Sequence, residues 1–170
     1  MFTRDSCAKL DAMSVDPAIS IRAYRPSDLD TVIAIFLSAI RVVAAKDYTP
    51  AQIDAWAQAD RSLWEPRRLS RPTWVAVIGG KSVGFADLEP NGHLDMMFVD
   101  PAHQGVGVAT ALLSTVEAAA RAQSLSAIFT KASVTARPFF AKRGFRLVAE
   151  QLVERHGQRL TNFRMEKRLK

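Results

Sequence analysis

A polar turn carrying two glycines, Gln104-Gly105-Val106-Gly107, separates a strand-like run ending at Val99 from an alanine-rich helix that opens at Val108-Ala109. Glycines at such a junction let a ligand approach the backbone closely. The first amides of the helix are free donors, and the helix dipole adds a preference for negative charge. A phosphate-bearing ligand suits that chemistry, although two glycines alone would count only as turn residues. Two common phosphate patterns do not fit. A Walker loop requires Gly-Lys-Ser/Thr, and here Val108 follows Gly107. A dinucleotide fingerprint requires a third glycine and an acid about 20 residues further on; Thr110 stands in the glycine's place, and no acid occurs between Glu117 and Glu150. Upstream, Glu89, His93 and Asp95 place titratable groups in and beside the run His93–Val99. An unpaired acid in a strand as apolar as this one is costly, so Asp95 is expected to have a partner or a function.

The elements that must hold these residues follow from periodicity. "ISIRA" alternates as a first strand, and "SDLDTVIAIFLSAIRVVA" carries one apolar face through Leu29, Val32, Ile33, Phe36, Ile40 and Val43. Ser27, three residues before Asp30, is the expected cap of that helix. Thr49, Pro50 and Gln52 form the start of a second helix, with Thr49 and Gln52 as a capping box. After a tryptophan-bearing connection the period becomes two, and "TWVAVI", "SVGFADLE" and "HLDMMFV" read as an antiparallel meander. Strict alternation along the third strand puts His93, Asp95 and Met97 on one face and Leu94, Met96 and Phe98 on the other. A long helix to about Gln123, the strand "AIFTK", a short helix "TARPFFAKR" stopped by Gly144, and two strands near 145–154 and 159–167 complete the chain. The expected fold class is α/β, a mixed and mostly antiparallel sheet flanked by helices, with one β-α-β crossover between Val99 and Lys131.

Composition narrows the function classes. At 170 residues, 48% hydrophobic and 24% charged, the chain suits one globular domain. Cys7 is the single cysteine, which excludes a disulfide framework or a multi-cysteine zinc site and suits a reducing cytoplasm. Residues 1–19 lack the apolar run of a signal peptide and read as a flexible tail before a domain spanning 20–170, with Met13 as a candidate natural start. No stretch is long enough to span a bilayer, so no membrane partner is expected. The net charge of +6 is uneven, because Arg121, Lys131, Arg137, Lys142, Arg143 and Arg146 all fall in the acid-free stretch. Without interleaved aromatics or a recognisable motif, that stretch does not point to nucleic acid.

Gln104-Gly105-Val106-Gly107-Val108-Ala109 resembles the Q/R-x-x-G-x-G/A signature of the GNAT superfamily of N-acetyltransferases. "ARPFFAKRGF", residues 136 to 145, is similar to the family's later A-x-x-F-Y-x-x-x-G-F block. The likeness runs from about Ile21 to Leu169, and "KDYTPAQIDAW" with the closing "NFRMEKRL" is similar to a small bacterial branch. The resemblance implies a GNAT fold and acetyl transfer from acetyl-coenzyme A, used as donor substrate, to an amine on a small molecule or a protein. It implies no metal, and a monomer or homodimer. Donor-binding residues carried over are Met97, Phe98, Val99, Gln104, Gly105, Val106, Gly107, Val108, Ala109, Ser133, Phe140 and Arg143, and the basic stretch gains a use at the donor's phosphates. The amine must lose a proton before attack, so acid–base candidates are Asp95, His93, Glu89 and Tyr48. Two positions depart from the family. Phe140 stands where many members keep a tyrosine acid, and Ser133 replaces an asparagine. The departure at Phe140 keeps a second reading open, a coenzyme A-binding protein with weak or regulatory activity.

Overall fold

A computed structural model describes residues 18–170; the tail reading, with Cys7 and Met13, lies outside them, apart from its last residues. The first strand, β1 (Ile19–Ala23), leads into a 3-10 turn over Pro26–Asp28 and then α1 (Leu29–Ser38). The expected cap at Ser27 is not used. Instead the Asp28 carboxylate accepts from the Arg25 amide at 2.8 Å and takes both Nη atoms of Arg22 at 2.8 Å, a stronger arrangement than a neutral hydroxyl offers. Beyond α1 the backbone widens into a π-helical stretch, Ala39–Val43, and ends at Lys46.

Thr49 caps α2 (Pro50–Trp56) as its sequence predicts: its hydroxyl accepts from the Gln52 amide, and the Gln52 side chain accepts from the Thr49 amide. The following connection contains a helix absent from the sequence reading, α3 (Arg61–Leu69), capped by Asp60 and with Pro66 inside it. Charged residues and a proline are interspersed with its few apolar ones, so no apolar stripe announced it.

Strands β2 (Thr73–Ile78) and β3 (Lys81–Asp87) form the expected hairpin, but "HLDMMFV" is not one strand. It divides into β4 (His93–Leu94) and β5 (Met97–Val99), which join different sheets. One sheet runs β1-β2-β3-β5 and is antiparallel throughout. After α4 (Val108–Ala122) come β6 (Ala127–Ser133), α5 (Arg137–Ala141), β7 (Arg146–Arg155) and β8 (Gln158–Arg168). The second sheet runs β4-β6-β8-β7, with β4 parallel to β6 through His93↔Phe129 and Leu94↔Thr130. The crossover through α4 therefore closes on β4, while β5 leans the other way.

Strict alternation fails at this division. Leu94 and Met97, three residues apart, pack in one core with Leu112, Val116 and Ile128 of α4 and β6. Met96 and Phe98 pack in the other, with Phe36, Trp64 and Phe85. The two cores hold α4 on one side of the first sheet and α1 with α3 on the other. Between the diverging ends of β5 and β6 a wedge opens.

Candidate active site

The wedge is entered over the glycine turn. Gly107, at φ +96°, is the N-cap of α4, and no side chain caps that helix. Its first intrahelical bond runs from the Ala111 amide to the Gly107 carbonyl, so the amides of Val108, Ala109 and Thr110 have no helical partner. Gly105 sits at φ +74°, and a Cβ there would meet nothing within 4 Å. The turn is held from behind: Gln104 Nε2 donates to the Val99 carbonyl at 3.0 Å, and the Val108 side chain is buried in the core. Arg143, just beyond α5, stacks 3.7 Å over the Phe139 ring and donates to Thr110 Oγ1 at 2.6 Å. A guanidinium thus stands at the first turn of α4 beside free amides, a combination that fits a phosphate group.

Deeper in the wedge the backbone of β5 is the lining. The Asp87 amide donates to the Met96 carbonyl and the Asp100 amide donates to Val83, both across to β3. By the alternation of an antiparallel pair, Phe98 also turns its amide to β3, while Met97 and Val99 turn theirs away, into the wedge. Of the three donors expected on this strand, two are available, and Phe98 contributes its ring instead. A cavity of about 300 Å³ extends here, lined by Met97, Val99, Ala109, Ser133 and Phe140 among others. Ser133 Oγ accepts from the Ala136 amide at the start of α5. The Phe140 ring is 4% exposed and packs edge-on to Phe139 and Phe145.

The break between β4 and β5 strands two amides, those of Asp95 and Met96. Both donate to Asp87 Oδ1, at 3.1 and 2.8 Å. Asp87 Oδ2 faces Arg68 Nη1 at 2.9 Å, with the two side chains 0% and 1% exposed. Burial pushes the Asp87 carboxyl up and the Arg68 guanidinium down, and the Arg68 charge is the largest influence drawing Asp87 back toward ionisation. Arg71 joins the pair, with Nη1 at 3.5 Å from Asp87, 2.5 Å from Glu89 and 3.2 Å from Asp95. This assembly was not read from the sequence, because Arg68 and Arg71 belong to and follow the unannounced helix α3.

The four acid–base candidates separate. Asp95 lines both the larger cavity and a smaller one of about 170 Å³ beside α1 and α2, and its side chain is 32% exposed. Glu89 and His93 line neither; they pair with each other at 3.1 Å, and the His93 ring stacks on Phe129. Tyr48 borders the smaller cavity, but its hydroxyl donates to the Thr161 carbonyl at 2.8 Å and accepts from the Val134 amide at 2.9 Å. Burial raises its pKa, so the proton stays on that tether. Trp56, packed edge-on to Tyr48, lines both cavities. Among the described residues no three His, Cys, Asp or Glu side chains are grouped to hold a metal ion, and no helix is long and apolar enough to cross a membrane.

Comparison with known proteins finds similarity over most of the chain. The family model of the acetyltransferase (GNAT) domain matches residues 44–167. The chain is 42% identical over 147 residues to the uncharacterized N-acetyltransferase YafP of Escherichia coli (strain K12), covering 86% of this chain and 94% of that one. A crystal structure from Rhodopseudomonas palustris, described as a GCN5-related N-acetyltransferase (aminotransferase, class II), superposes with a TM-score of 0.86 at 36% identity, over 90% of this chain and 96% of that chain. The PaiA N-acetyltransferase of Thermoplasma acidophilum, solved in complex with coenzyme A, shares the fold with a TM-score of 0.72 at 19% identity, over 89% and 99% of the two chains.

Proposed function

Given that the chain belongs to the GNAT acetyltransferase family, and is accordingly an acyltransferase of the N-acetyltransferase kind, we propose that it moves the acetyl group of acetyl-coenzyme A directly to a primary amine bound at Asp95. The observation that carries this reading is one continuous path. It leads from the uncapped amides of α4, along the wedge-facing amides of β5, to a carboxylate at the junction of two cavities.

Bound acetyl-coenzyme A would supply an acetyl group already activated as a thioester. The chain's own contribution divides by position. Gly105, Val106, Gly107, Val108 and Ala109 offer backbone, and Arg143 a cation, for the pyrophosphate. The basic side chains of the acid-free stretch suit the remaining phosphate. The amides of Met97 and Val99 are the donors available to a carbonyl lodged in the wedge, where negative charge develops during transfer.

Asp95 attracts the acceptor as its ammonium and receives or relays the proton that must leave before nitrogen can attack. Three carboxylates, Asp87, Glu89 and Asp95, surround two guanidinium groups, Arg68 and Arg71. Among these five groups one negative charge is in excess, which an ammonium would balance. Partial exposure of Asp95 gives water a route to carry the proton off. Glu89 and His93 then act behind Arg71 as positioning groups.

Phe140 can donate no proton, so water is left to protonate the departing thiolate, a tolerable leaving group with a pKa of about 8.5. The same residue favours the second reading, binding with weak or regulatory activity. One experiment separates the two: thiol release from acetyl-coenzyme A, followed with and without a panel of amines. Transfer predicts amine-dependent release and a melting temperature raised by the donor, less by dephospho-coenzyme A. Binding alone predicts the temperature shift with release indifferent to every amine.

A further inference from the structure

The smaller cavity has an uneven lining. One side of it is aromatic, formed by Phe36 of α1, Tyr48 just before α2, Trp56 at the end of α2, and Phe98 of β5, and its single acid is Asp95. Opposite, β6, β7 and β8 present one face of the second sheet, on which the register sets Lys131 beside Arg164 and Gln151 beside Asn162. Lys131 and Arg155 are the two cations of the lining. Among the described residues neither forms an ion pair or a side-chain hydrogen bond, although acids are paired elsewhere on the molecule. Lys131 also borders the larger cavity, whereas Arg155, at the tip of the β7–β8 hairpin, lines only the smaller one. A cation there lies on the acceptor side of Asp95 and away from the donor's phosphates at α4.

We propose that the acceptor is an amine that also carries an anionic group of the carboxylate class, on an aromatic or apolar body. The inference rests on the amine-acceptor reading above. The ammonium end meets Asp95, the body lies against Trp56, Phe36 and Phe98, and the anion reaches toward Lys131 and Arg155. An ordinary alkylamine would satisfy Asp95 and leave both cations to solvent. An amine with a second positive charge would meet them directly and be repelled. Both cations are exposed, so their effect on selectivity is moderate and sensitive to salt.

The test compares amines with and without the anion, each kcat/KM being expressed per unprotonated amine because a neighbouring carboxamide lowers the amine's pKa. Phenylalanine is set against phenylalaninamide, and para-aminomethylbenzoic acid against its carboxamide, so that two separations of amine and anion are sampled. The expected result is a kcat/KM at least about fivefold higher for one acid than for its amide, shrinking as salt is raised. In the Lys131→Glu/Arg155→Glu double variant the acid-to-amide ratio should fall to within about twofold or invert. Amides that serve as well as acids in the wild type overturn the inference and leave the amine reading standing. If other amines of the panel are acetylated while these acids are not, the inference alone is overturned. If thiol release is indifferent to every amine while acetyl-coenzyme A still raises the melting temperature, the amine reading itself fails and the inference falls with it.

Discussion

The turn at Gly105–Gly107 and the cleft at Asp95 lie at two ends of one wedge and are built from different materials. At the turn the available groups belong mainly to the backbone: amides of α4 without a cap, with one guanidinium, Arg143, alongside. At the cleft they are side chains from five segments, namely α1, α2, the β4–β5 break, β6 and the β7–β8 hairpin. A site made of backbone needs only a conformation, and glycine spacing supplies it locally. A site made of side chains needs long-range packing to bring it together, and its residue types are free to change with the acceptor. On the proposed reading the turn is therefore the general part of the site and the Asp95 cleft the particular part.

Variants can pull the two ends apart, and the largest effect is expected at the turn. Gly105→Asp should lower acetyl-coenzyme A affinity about 100-fold or more, because it adds repulsion where phosphate charge is favoured. Gly107→Val should do the same, at an added cost of about 1–2 kcal/mol in stability from a β-branched residue at positive φ. Calorimetric titration together with thermal melting reads both quantities. Normal binding by either variant would make the glycines turn residues only.

The junction between the ends comes next. Asp87→Ala strands a buried guanidinium and two amides, and should destabilise the protein by about 3–5 kcal/mol in denaturant unfolding. Asp87→Leu with Arg68→Met removes both charges and should recover much of that loss, yet it leaves the Asp95 and Met96 amides untied. Recovery of stability without recovery of turnover would show that Asp87 positions the strand break. Tyr48→Phe should cost about 1–2 kcal/mol through its lost bonds to Thr161 and Val134, with donor affinity nearly unchanged. A large fall in kcat without any loss of stability would return Tyr48 to the role of proton donor.

An effect on stability alone, no larger than that of Tyr48→Phe, lies away from both ends and serves as a baseline. The hydrogen bond from Arg22 holds the Asp28 carboxyl below the usual carboxylate range. A depressed pKa in the folded state contributes stability above the ordinary value of about 3.9, and that stability is lost as pH falls through the native value. Asp28→Asn should therefore lower the unfolding free energy by about 1–2 kcal/mol at neutral pH. The gap to wild type should close progressively below about pH 4. A gap that stays constant with pH would assign the effect to packing.

What could be read from the sequence follows the same division. Thr49, Pro50 and Gln52 announced α2 because capping is a local matter, and Gly105 with Gly107 announced the positive-φ turn before an uncapped α4 for the same reason. The division of "HLDMMFV" was hidden, since an apolar strand that changes sheets keeps its apolar composition; only Asp95 in its middle marked the place. Helix α3 was hidden by charge. Nothing local marks its Arg68 for burial; the partner that makes it a buried residue, Asp87, belongs to a strand that arrives 19 residues later. Tyr48 was legible as a cleft residue but not as a tether, because both of its partners are backbone groups more than 80 residues away.

Asp95→Asn tests the account most directly, because it keeps the shape of the junction and removes the charge on which acceptor binding and proton removal depend. The account predicts acetyl-coenzyme A affinity within about twofold of wild type and a fall of about 100-fold in kcat/KM for whichever amine is found to be acetylated. Turnover equal to wild type on that amine would contradict it and place proton removal elsewhere in the cleft.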